Sequence, residues 1–484
     1  MQRASIYLGV DIGTTHITAL ALELATGQIV ARAETANQAE TTTAADRALG
    51  RSEWDAAAML RLAWETLCRV ARALPDPARV QGIGCSGQMH GMTLVSADGT
   101  FLSPFIGWQD RRGEEVIPGE GITYLQRLAE LAGDVPRARM AAGFMGVTLF
   151  WRQMQGEPWP QGARAAFISD AFVAWLTGAP PCTDPSNADG SGLFDARTRR
   201  WNAPLIARLG LPEVILPPVR PAPAVAGGLR AELAAAVGLR AGVPVGVSLG
   251  DNQASFLGSV ADPPQSVLLN IGTGGQLSVY VPAFVQDPLL ETRCYPDGGY
   301  LLVSAGLCGG RAYAVWRGFL RAVGVAFFGA RGDEDLYEQM NALAATVPPG
   351  AEGVICEPLF AGTRLEPQRR GAFYGLSPAT FTPAHLTRAL LEGLIETFAE
   401  SYTRMQEIGV GGRKWLVGSG NGLRRNPLLA QIAARRLALP LCIPQHEEEA
   451  AYGAALLAAV ATGELSDLAA AGRLIRYASP VSPA

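Results

Sequence analysis

The pattern of hydrophobic residues predicts two similar hairpins, one near the start of the chain and one near its middle. The first segment reads YLGVDIGTTHITALALE from Tyr7 to Glu23, and the second reads SVLLNIGTGGQLSVYV from Ser266 to Val281. Each has a strand-like apolar run, a short Gly-Thr turn and a second apolar run. The turns lie 259 positions apart (272 minus 13). We therefore expect a duplicated arrangement in which each half of the chain opens with a hairpin.

Beyond each hairpin, strand patterns alternate with helix patterns. The first half has an amphipathic helix over 53–74, a strand over 80–85 and a polar loop over 183–195. The second half has a long helix over 383–408 and an alanine-rich helix over 448–462, which we expect to close the second domain. This alternation predicts two α/β domains around a central cleft. We place the first domain at 1–257 and the second at 258–484.

Composition narrows the class of protein. The chain has 484 residues, 48% of them hydrophobic, a formal net charge of −4 and seven scattered cysteines. Because there is no basic stripe, we expect no nucleic-acid partner. Because there is no apolar run of about 18 residues, we expect no membrane span. The cysteine pattern suits a reducing compartment, so we expect a cytoplasmic protein.

Lysine usage excludes two kinds of nucleotide site. Lys414 is the only lysine, so neither the P-loop motif nor the strand lysine of protein kinases can be present. A nucleotide would have to be held by backbone N–H groups, hydroxyls, arginines and a metal ion.

The two turns carry groups suited to phosphate. Glycine lacks a Cβ and adopts positive φ, so successive N–H groups could point at one anion. We expect this conformation at Gly13, Gly272 and Gly274. Hydroxyl donors accompany these glycines: Thr14, Thr15 and Thr273. One such turn alone would favour an ordinary hairpin, and it is the duplication that favours a polyphosphate site.

Two aspartates follow predicted strands. Asp11 directly precedes the first turn, where it could hold Mg²⁺ against phosphates; the alternative is a turn acid that bonds its own backbone. Asp251 follows the strand VPVGVSLG and is placed to act as a general base. Its alternative is a cap for the following helix.

Three further segments offer sugar or nucleoside contacts. SGQMHG at 86–91 supplies Gln88, Met89 and His90, although an isolated loop histidine is usually an ordinary surface residue. WQDRR at 108–112 combines an aromatic plate with charges, or forms a surface ion pair beside a core tryptophan. GSGNG at 418–422 leads into a helix and suits an adenosine, but it lacks the dinucleotide-binding spacing.

Taken in order, these motifs resemble the FGGY family of carbohydrate kinases over nearly the whole chain. The resemblance also includes DPSNADGSGLFD at 184–195, GDNQAS at 250–255 and EEEAAYGAALLA at 447–458. It implies two ribonuclease-H-like α/β domains, of the actin and hexokinase ATPase type, around a central cleft. It also implies ATP and Mg²⁺ as cofactors, a ketose substrate, and a monomer or homodimer.

The resemblance assigns roles to individual positions. Asp251 would be the catalytic base, and Asp11 would face the metal. The phosphates and nucleoside would lie against Thr14, Thr15, Gly272, Thr273, Gly310, Gly418, Gly420 and Asn426. The sugar would be lined by Gln88, Met89, His90, Trp108, Asp110 and Asn252. Within the family, GFMGVTLFW at 143–151 and the pairing of SGQMHG with WQDRR look most like sedoheptulokinases.

One departure bears on activity. The family usually has a Lys or Arg three residues after the second threonine of DIGTT, and this chain has Thr18. We expect phosphorylation of a ketose primary hydroxyl, most simply sedoheptulose to its 7-phosphate, with xylulose or another pentulose as the alternative substrate. Two further alternatives are a sugar-binding member with weakened catalysis and an actin-like ATPase without a sugar.

Overall fold

The computed structural model describes residues 5–96, 99–135, 140–329, 331–332, 335–360, 362 and 368–483. It contains two main sheets, one in each half of the chain. Within these residues, no helix is both long enough and apolar enough to cross a membrane.

The first sheet is built around the N-terminal hairpin. In spatial order its strands are Val225–Gly228, Pro244–Gly246, Val80–Gly87, Ile6–Ile12, His16–Glu23 and Gln28–Ala36, and Leu249–Gly250 also pairs with Val80–Gly87. The hairpin strands pair antiparallel, whereas Ile6–Ile12 and Val80–Gly87 run parallel. Ile6–Ile12 is buried at nearly every position because helices cover both faces of the sheet.

The second sheet repeats this arrangement. Its strands, in spatial order, are Glu291–Cys294, Tyr300–Cys308, Gly274–Val281, Ser266–Ile271, Trp415–Ser419 and Leu441–Cys442. The hairpin strands again pair antiparallel, and Ser266–Ile271 runs parallel to Trp415–Ser419. Both halves thus place a hairpin beside a parallel strand that follows later in the chain, as the duplicated pattern predicts.

The longer helices of the described residues have nine or more residues each. They are Ala56–Ala73, Tyr124–Ala132, Met145–Met154, Ile168–Thr177, Asp251–Ser259, Gly310–Phe328, Tyr337–Ala345, Pro383–Glu407, Pro427–Leu437 and Glu449–Ala461. One core packs Ala56–Ala73 and Ile168–Thr177 on the first sheet, and another packs Pro383–Glu407 and Pro427–Leu437 on the second.

The alanine-rich helix Glu449–Ala461 does not close the second domain as expected, because it packs on the first sheet. A Cβ at Gly9 would lie 1.9 Å from the Ala451 carbonyl oxygen, so glycine lets the helix lie directly on the strand. The same helix crosses Asp251–Ser259, where a Cβ at Gly453 would lie 2.0 Å from the Ala254 oxygen. The helix Asp251–Ser259, which begins at the predicted catalytic base, is therefore packed directly against the helix Glu449–Ala461.

The polar loop predicted over 183–195 is partly wrong. It contains the short helix Pro185–Asp189, which begins after Asp184, and the short strand Phe194–Asp195. Asp184 accepts a hydrogen bond from the Ser186 backbone, and Pro185 occupies the first turn, where its missing N–H costs nothing. These start signals outweigh the polar composition that suggested a loop.

Candidate functional site

Three parallel strands of the first sheet end side by side. Asp11 is aligned with Ser86, and Ser86 is aligned with Leu249. The carboxyl ends of parallel strands form the usual binding edge of an α/β sheet. The alignment therefore brings Asp11, the loop after Ser86 and Asp251 to one edge, although they are far apart in sequence.

Asp251 begins the helix Asp251–Ser259 but does not cap it, because the N-cap residue is Gly250. Its Oδ1 accepts a hydrogen bond from the Asn252 backbone at 2.7 Å, and the residue is partly exposed. Burial raises the pKa of Asp251 to about 6, against the opposing effects of the Asn252 amide and the charge of Arg293. This carboxylate is ionised at neutral pH and can accept a proton.

Asp11 is bonded to a side chain rather than to its own backbone. Its Oδ1 accepts the Ser86 hydroxyl at 2.6 Å. Burial raises the pKa of Asp11 to about 6, the Ser86 bond lowers it, and the charge of Asp251 raises it further. The two carboxylates therefore lie within electrostatic reach of each other.

A metal held by protein side chains alone is not indicated. Within the residues that the structure describes, no group of three or more His, Cys, Asp or Glu could hold an ion. Mg²⁺ in phosphate-transfer sites is commonly bound through one or two carboxylates together with phosphate oxygens. Asp11 can supply one such carboxylate. Its Oδ1 is bonded to Ser86, whereas its Oδ2 lies on the side of the first turn, 3.8 Å from where a Cβ of Gly13 would stand.

The two hairpin turns differ in construction. In the first, Asn37 donates from Nδ2 to the Gly13 oxygen at 3.0 Å, and Trp108 donates from Nε1 to the Thr14 hydroxyl at 3.0 Å. In the second, Gly310 donates its backbone N–H to the Gly272 oxygen at 2.9 Å. Thr15, in the first turn, is exposed, and so is Thr273 in the second.

The positive φ expected at Gly13, Gly272 and Gly274 is wrong, since none of the three adopts it. What the missing Cβ provides instead is space, and its effect differs between Gly13 and Gly272. A Cβ at Gly13 would lie 2.7 Å from the His16 oxygen, whereas a Cβ at Gly272 would meet nothing within 4 Å. Gly272 therefore leaves an open approach to its backbone.

Asn252 links the two halves across the site. Its Nδ2 donates to Oε1 of Gln276 at 2.8 Å. Gln276 lies two residues after Gly274 in the second hairpin. This bond places the helix that starts at Asp251 beside the second turn.

Of the three glycines predicted to lie near the nucleoside, Gly310 and Gly420 lie at the same turn. Gly418 lies in the strand Trp415–Ser419, aligned with Leu269. Gly420 has φ of +81°, and a Cβ there would lie 2.5 Å from the Ile271 oxygen. With Gly310 bonded to Gly272, two segments of the second half, one with Gly310 and one with Gly420, meet the end of this hairpin.

The predicted sugar loop contains an unusual buried amide. Gln88 is 3% exposed, and neither Oε1 nor Nε2 has a hydrogen-bond partner among the described residues. Met89 is buried beside it, and His90 bonds the Gly190 oxygen through Nδ1 at 2.8 Å while it stacks on Phe144. Buried amides without partners are rare and indicate a missing ligand or water.

A cavity of about 860 Å³ adjoins this loop. Its lining includes the polar residues His90, Asp189, Glu291 and Arg293 and, among the apolar ones, Met89. Asp251 does not line it, but the preceding Gly250 lies against Met89, since a Cβ there would be 3.2 Å from the Met89 Cβ. The cavity thus lies between the predicted sugar loop and the strand Glu291–Cys294 of the second half.

Two predicted contact residues have their polar atoms engaged within the protein. Both oxygens of Asp110 accept hydrogen bonds, from the Ser52 backbone and from Arg112, and the residue is 1% exposed. Asn426 caps the helix Pro427–Leu437 through its Oδ1 and donates from Nδ2 to Asn341 at 2.8 Å. The structure therefore gives both a structural role, and the Asn-Pro start of that helix was the signal for a cap.

Sequence reasoning missed three polar residues of this region, Gln276, Asp189 and Arg293. Gln276 and Arg293 reach the first half from the second sheet, so no local motif marks them. Asp189 stands inside the motif DPSNADGSG, where its burial beside the cavity follows only from the packed structure.

Comparisons with known proteins agree with this architecture. The model of the FGGY family of carbohydrate kinases, N-terminal domain, matches residues 6–258, and that of the C-terminal domain matches residues 268–462. Sedoheptulokinase from Mus musculus is 29% identical over 94% of this chain and 98% of its own length. Glycerol kinase from Thermus brockianus is 31% identical over 83% of this chain and 80% of its own.

A solved structure gives the same result for the fold. Xylulose kinase from Rhodospirillum rubrum superposes with a TM-score of 0.82 at 27% identity, covering 99% of this chain and 94% of that one. The predicted two-domain actin and hexokinase-like α/β fold is thereby confirmed. Members of the matched family act on small sugars with ATP and typically a divalent metal. This chain belongs to the FGGY family of carbohydrate kinases.

Proposed function

We propose that this enzyme transfers the terminal phosphoryl group of ATP to a primary hydroxyl of a ketose, with sedoheptulose as the first candidate substrate and a pentulose such as xylulose as the second. The observation that carries the proposal is the position of Asp251. It stands at the carboxyl end of a strand, within electrostatic reach of Asp11 and tied through Asn252 to the second hairpin.

Asp251 is the proposed general base. Its ionised carboxylate accepts the proton of the sugar hydroxyl as the oxygen attacks phosphorus, a contribution on the order of 10²–10⁴ in rate. Asp11 would hold Mg²⁺ together with the phosphates, and the ion would supply charge neutralisation. The open backbone at Gly272 and the hydroxyls of Thr14, Thr15 and Thr273 are the proposed phosphate contacts.

The proposed sugar contacts come from the buried loop. Gln88 has one acceptor and two donor hydrogens without partners, which suit sugar hydroxyls. Trp108 is 48% exposed and offers a face on which a sugar ring or chain can stack. Asn252 keeps its Oδ1 unpartnered beside Asp251. We leave Asp110 and Asn426 out of the proposed contacts, because their polar atoms already have protein partners.

The choice of ketose rests on the relatives. The mouse relative carries the name sedoheptulokinase, and its match extends over nearly the full length of both chains. The solved relative is named a xylulose kinase. Both names denote kinases of ketoses, whereas glycerol has no carbonyl group. The heptulose and the pentulose therefore come before glycerol in the substrates to test.

The test is ADP formation with C5 to C7 ketoses and glycerol, with mass detection of the sugar phosphate. Asp251→Asn keeps the shape of the side chain, and we expect it to reduce turnover by at least 10² while nucleotide affinity stays within about twofold. Asp262→Asn is the matched control, because Asp262 is exposed and makes no capping bond. Full turnover in Asp251→Asn, or no sugar phosphate from the unmodified enzyme with any ketose, would refute the proposal.

A further inference from the structure

Two ionisable side chains, Asp189 and Arg293, line the cavity where the two halves of the chain meet. Asp189 ends the short helix Pro185–Asp189 of the first half, and Arg293 belongs to the edge strand Glu291–Cys294 of the second sheet. The helix and the strand are packed against each other. None of the roles proposed above involves either side chain.

Arg293 is 6% exposed and only partly satisfied. Its Nε and Nη2 donate to Oε2 of Glu291 at 3.1 and 2.6 Å. Its Nη1 faces the thioether sulfur of Met89 at 3.7 Å. A thioether is a weak acceptor, so Nη1 keeps donor capacity for a ligand in the cavity.

Asp189 is 7% exposed and has a single hydrogen-bond donor among the described residues. That donor is the Cys294 backbone N–H, 3.3 Å from Oδ2. The other oxygen, Oδ1, is left as a free acceptor. Burial raises the pKa of Asp189 to about 7, and the charge of Arg293 opposes this shift.

Met89 contacts both Arg293 and the residue that precedes Asp251. On one side it lies against Gly250, which precedes Asp251, and on the other its sulfur meets Arg293. Burial raises the pKa of Asp251 and the charge of Arg293 opposes this shift, so the two groups are within electrostatic reach of each other. A sugar with its reacting hydroxyl at Asp251 would have to extend past Met89 to contact Arg293 and Asp189.

We propose that Asp189 and Arg293 are specificity residues that bind hydroxyl groups at the end of the sugar remote from the reacting hydroxyl. This inference rests on the proposed function. A hydroxyl both donates and accepts, so one pair of hydroxyls can donate to Asp189 and accept from Arg293. A carboxylate at that end of the substrate could accept from Arg293, whose charge Glu291 already balances, but it could not donate to Asp189. The pair selects a neutral sugar over a sugar acid of the same length.

The experiment compares the unmodified enzyme with Asp189→Asn and Arg293→Gln. The substrates are a neutral ketose, its analogue without the distal hydroxyl, and an aldonic acid of equal carbon number. Steady-state kinetics give kcat and KM for each. Calorimetric binding of each sugar without nucleotide gives a readout that does not depend on turnover.

Arg197→Gln is the matched control for Arg293→Gln. Arg197 lines the same cavity but is exposed, and its guanidinium lies over Phe284. Thermal unfolding of each variant separates loss of folding from loss of recognition. Asp189→Asn keeps the side-chain volume and tests the proposal even if Arg293→Gln is unstable.

We expect each variant to raise KM for the ketose by about tenfold while kcat changes less than threefold. Asp189→Asn should also lower the preference for ketose over aldonic acid by about tenfold. Removal of the distal hydroxyl should weaken binding to the unmodified enzyme but add little in Asp189→Asn, because the two changes remove the same interaction. Arg197→Gln should match the unmodified enzyme.

Several results would overturn the inference. If the enzyme phosphorylates the ketose and both variants keep the ketose preference within twofold, the inference fails and the proposed function stands. If no sugar is phosphorylated but ketose binding still depends on Asp189, the proposed function fails and the binding role stands. If no sugar binds at all, both fail.

Discussion

The two hairpins share one backbone plan but differ in the chemistry that they bring to the cleft. In the first half, Asp11 is aligned with Ser86 on the parallel strand and with Thr18 across the hairpin. In the second half, Asn270 is aligned with Ser419 and with Gln276. An acid in one half is thus replaced by an amide in the other, at the same place in the sheet.

This difference divides the proposed roles. The first half holds the carboxylates Asp11 and Asp251, which suit a metal ion and a proton. At the corresponding place, the second half offers Asn270 and glycines that leave backbone open, which suits an uncharged nucleoside and phosphate oxygens. The first turn also spans four residues, from 13 to 16, between its paired strands, and the second spans three, from 272 to 274. Duplication therefore conserves the geometry of the strands more than that of the turns.

Thr18 illustrates how the first hairpin differs from its family. It is 8% exposed and lies beside Glu448, which also contacts Arg32. An arginine introduced at this position would add a second cation beside the Arg32–Glu448 pair. The first hairpin is thus tied to the start of the helix Glu449–Ala461 at the position where the family usually has a cation.

The largest effect is expected when Asp11 is made like its counterpart. Asp11→Asn should reduce kcat by about 10²–10³, because it removes the carboxylate proposed to hold the metal. Nucleotide affinity measured in EDTA should stay within about twofold. The matched variant Asn270→Asp should instead weaken nucleotide binding, because it sets a charge beside the phosphates. Equal losses of kcat in both variants would show that the halves do not divide the roles in this way.

The sequence predicted the duplicated hairpins, the alternation of strands and helices, and the strand-end positions of Asp11 and Asp251, because these depend on local patterns and on the rule for parallel strands. It did not predict that Glu449–Ala461 packs on the first sheet or that Arg293 enters the cavity. Those placements depend on contacts between distant segments. Asp110 and Asn426 show a second limit, since motif matching does not reveal that a polar side chain is already bonded within the protein.

The next largest effects are expected at the turn glycines Gly13 and Gly272, where alanine should change different properties. Gly13→Ala should destabilise the fold by about 1–3 kcal/mol, because the new Cβ would lie 2.7 Å from the His16 oxygen. Gly272→Ala should change stability by less than about 0.5 kcal/mol, since nothing lies within 4 Å. It should nonetheless weaken ATP binding about tenfold. Denaturant unfolding and ATP titration give both quantities, and unchanged ATP affinity in folded Gly272→Ala would exclude its proposed phosphate contact.

A smaller effect on activity is expected when the pH is lowered. Of the two corresponding residues Asp11 and Asn270, only Asp11 can titrate. Asp251 and Asp11 both have pKa values raised to about 6, and both must be ionised to act. Activity should therefore be full above pH 7 and fall as pH drops through 6, more steeply than one proton allows. The residual activity of Asp11→Asn should show a single-proton limb. Asp189→Asn tests whether Asp189, with a pKa of about 7, contributes to the limb; a limb unchanged in Asp11→Asn would contradict the assignment.

The smallest effect is expected at Ser86 and Ser419, the serines aligned with Asp11 and Asn270. Ser86 donates to Asp11, whereas the Ser419 hydroxyl is buried without a partner among the described residues. Ser86→Ala should raise the pKa of Asp11 and move the acid limb of activity upward, with a several-fold loss of activity near pH 6. Ser419→Ala should leave that limb in place and the free enzyme at least as stable, because no protein hydrogen bond is lost. If Ser419→Ala nevertheless weakens ATP binding, the unpartnered hydroxyl is a nucleotide contact, and the two serines then serve the metal side and the nucleoside side of one cleft.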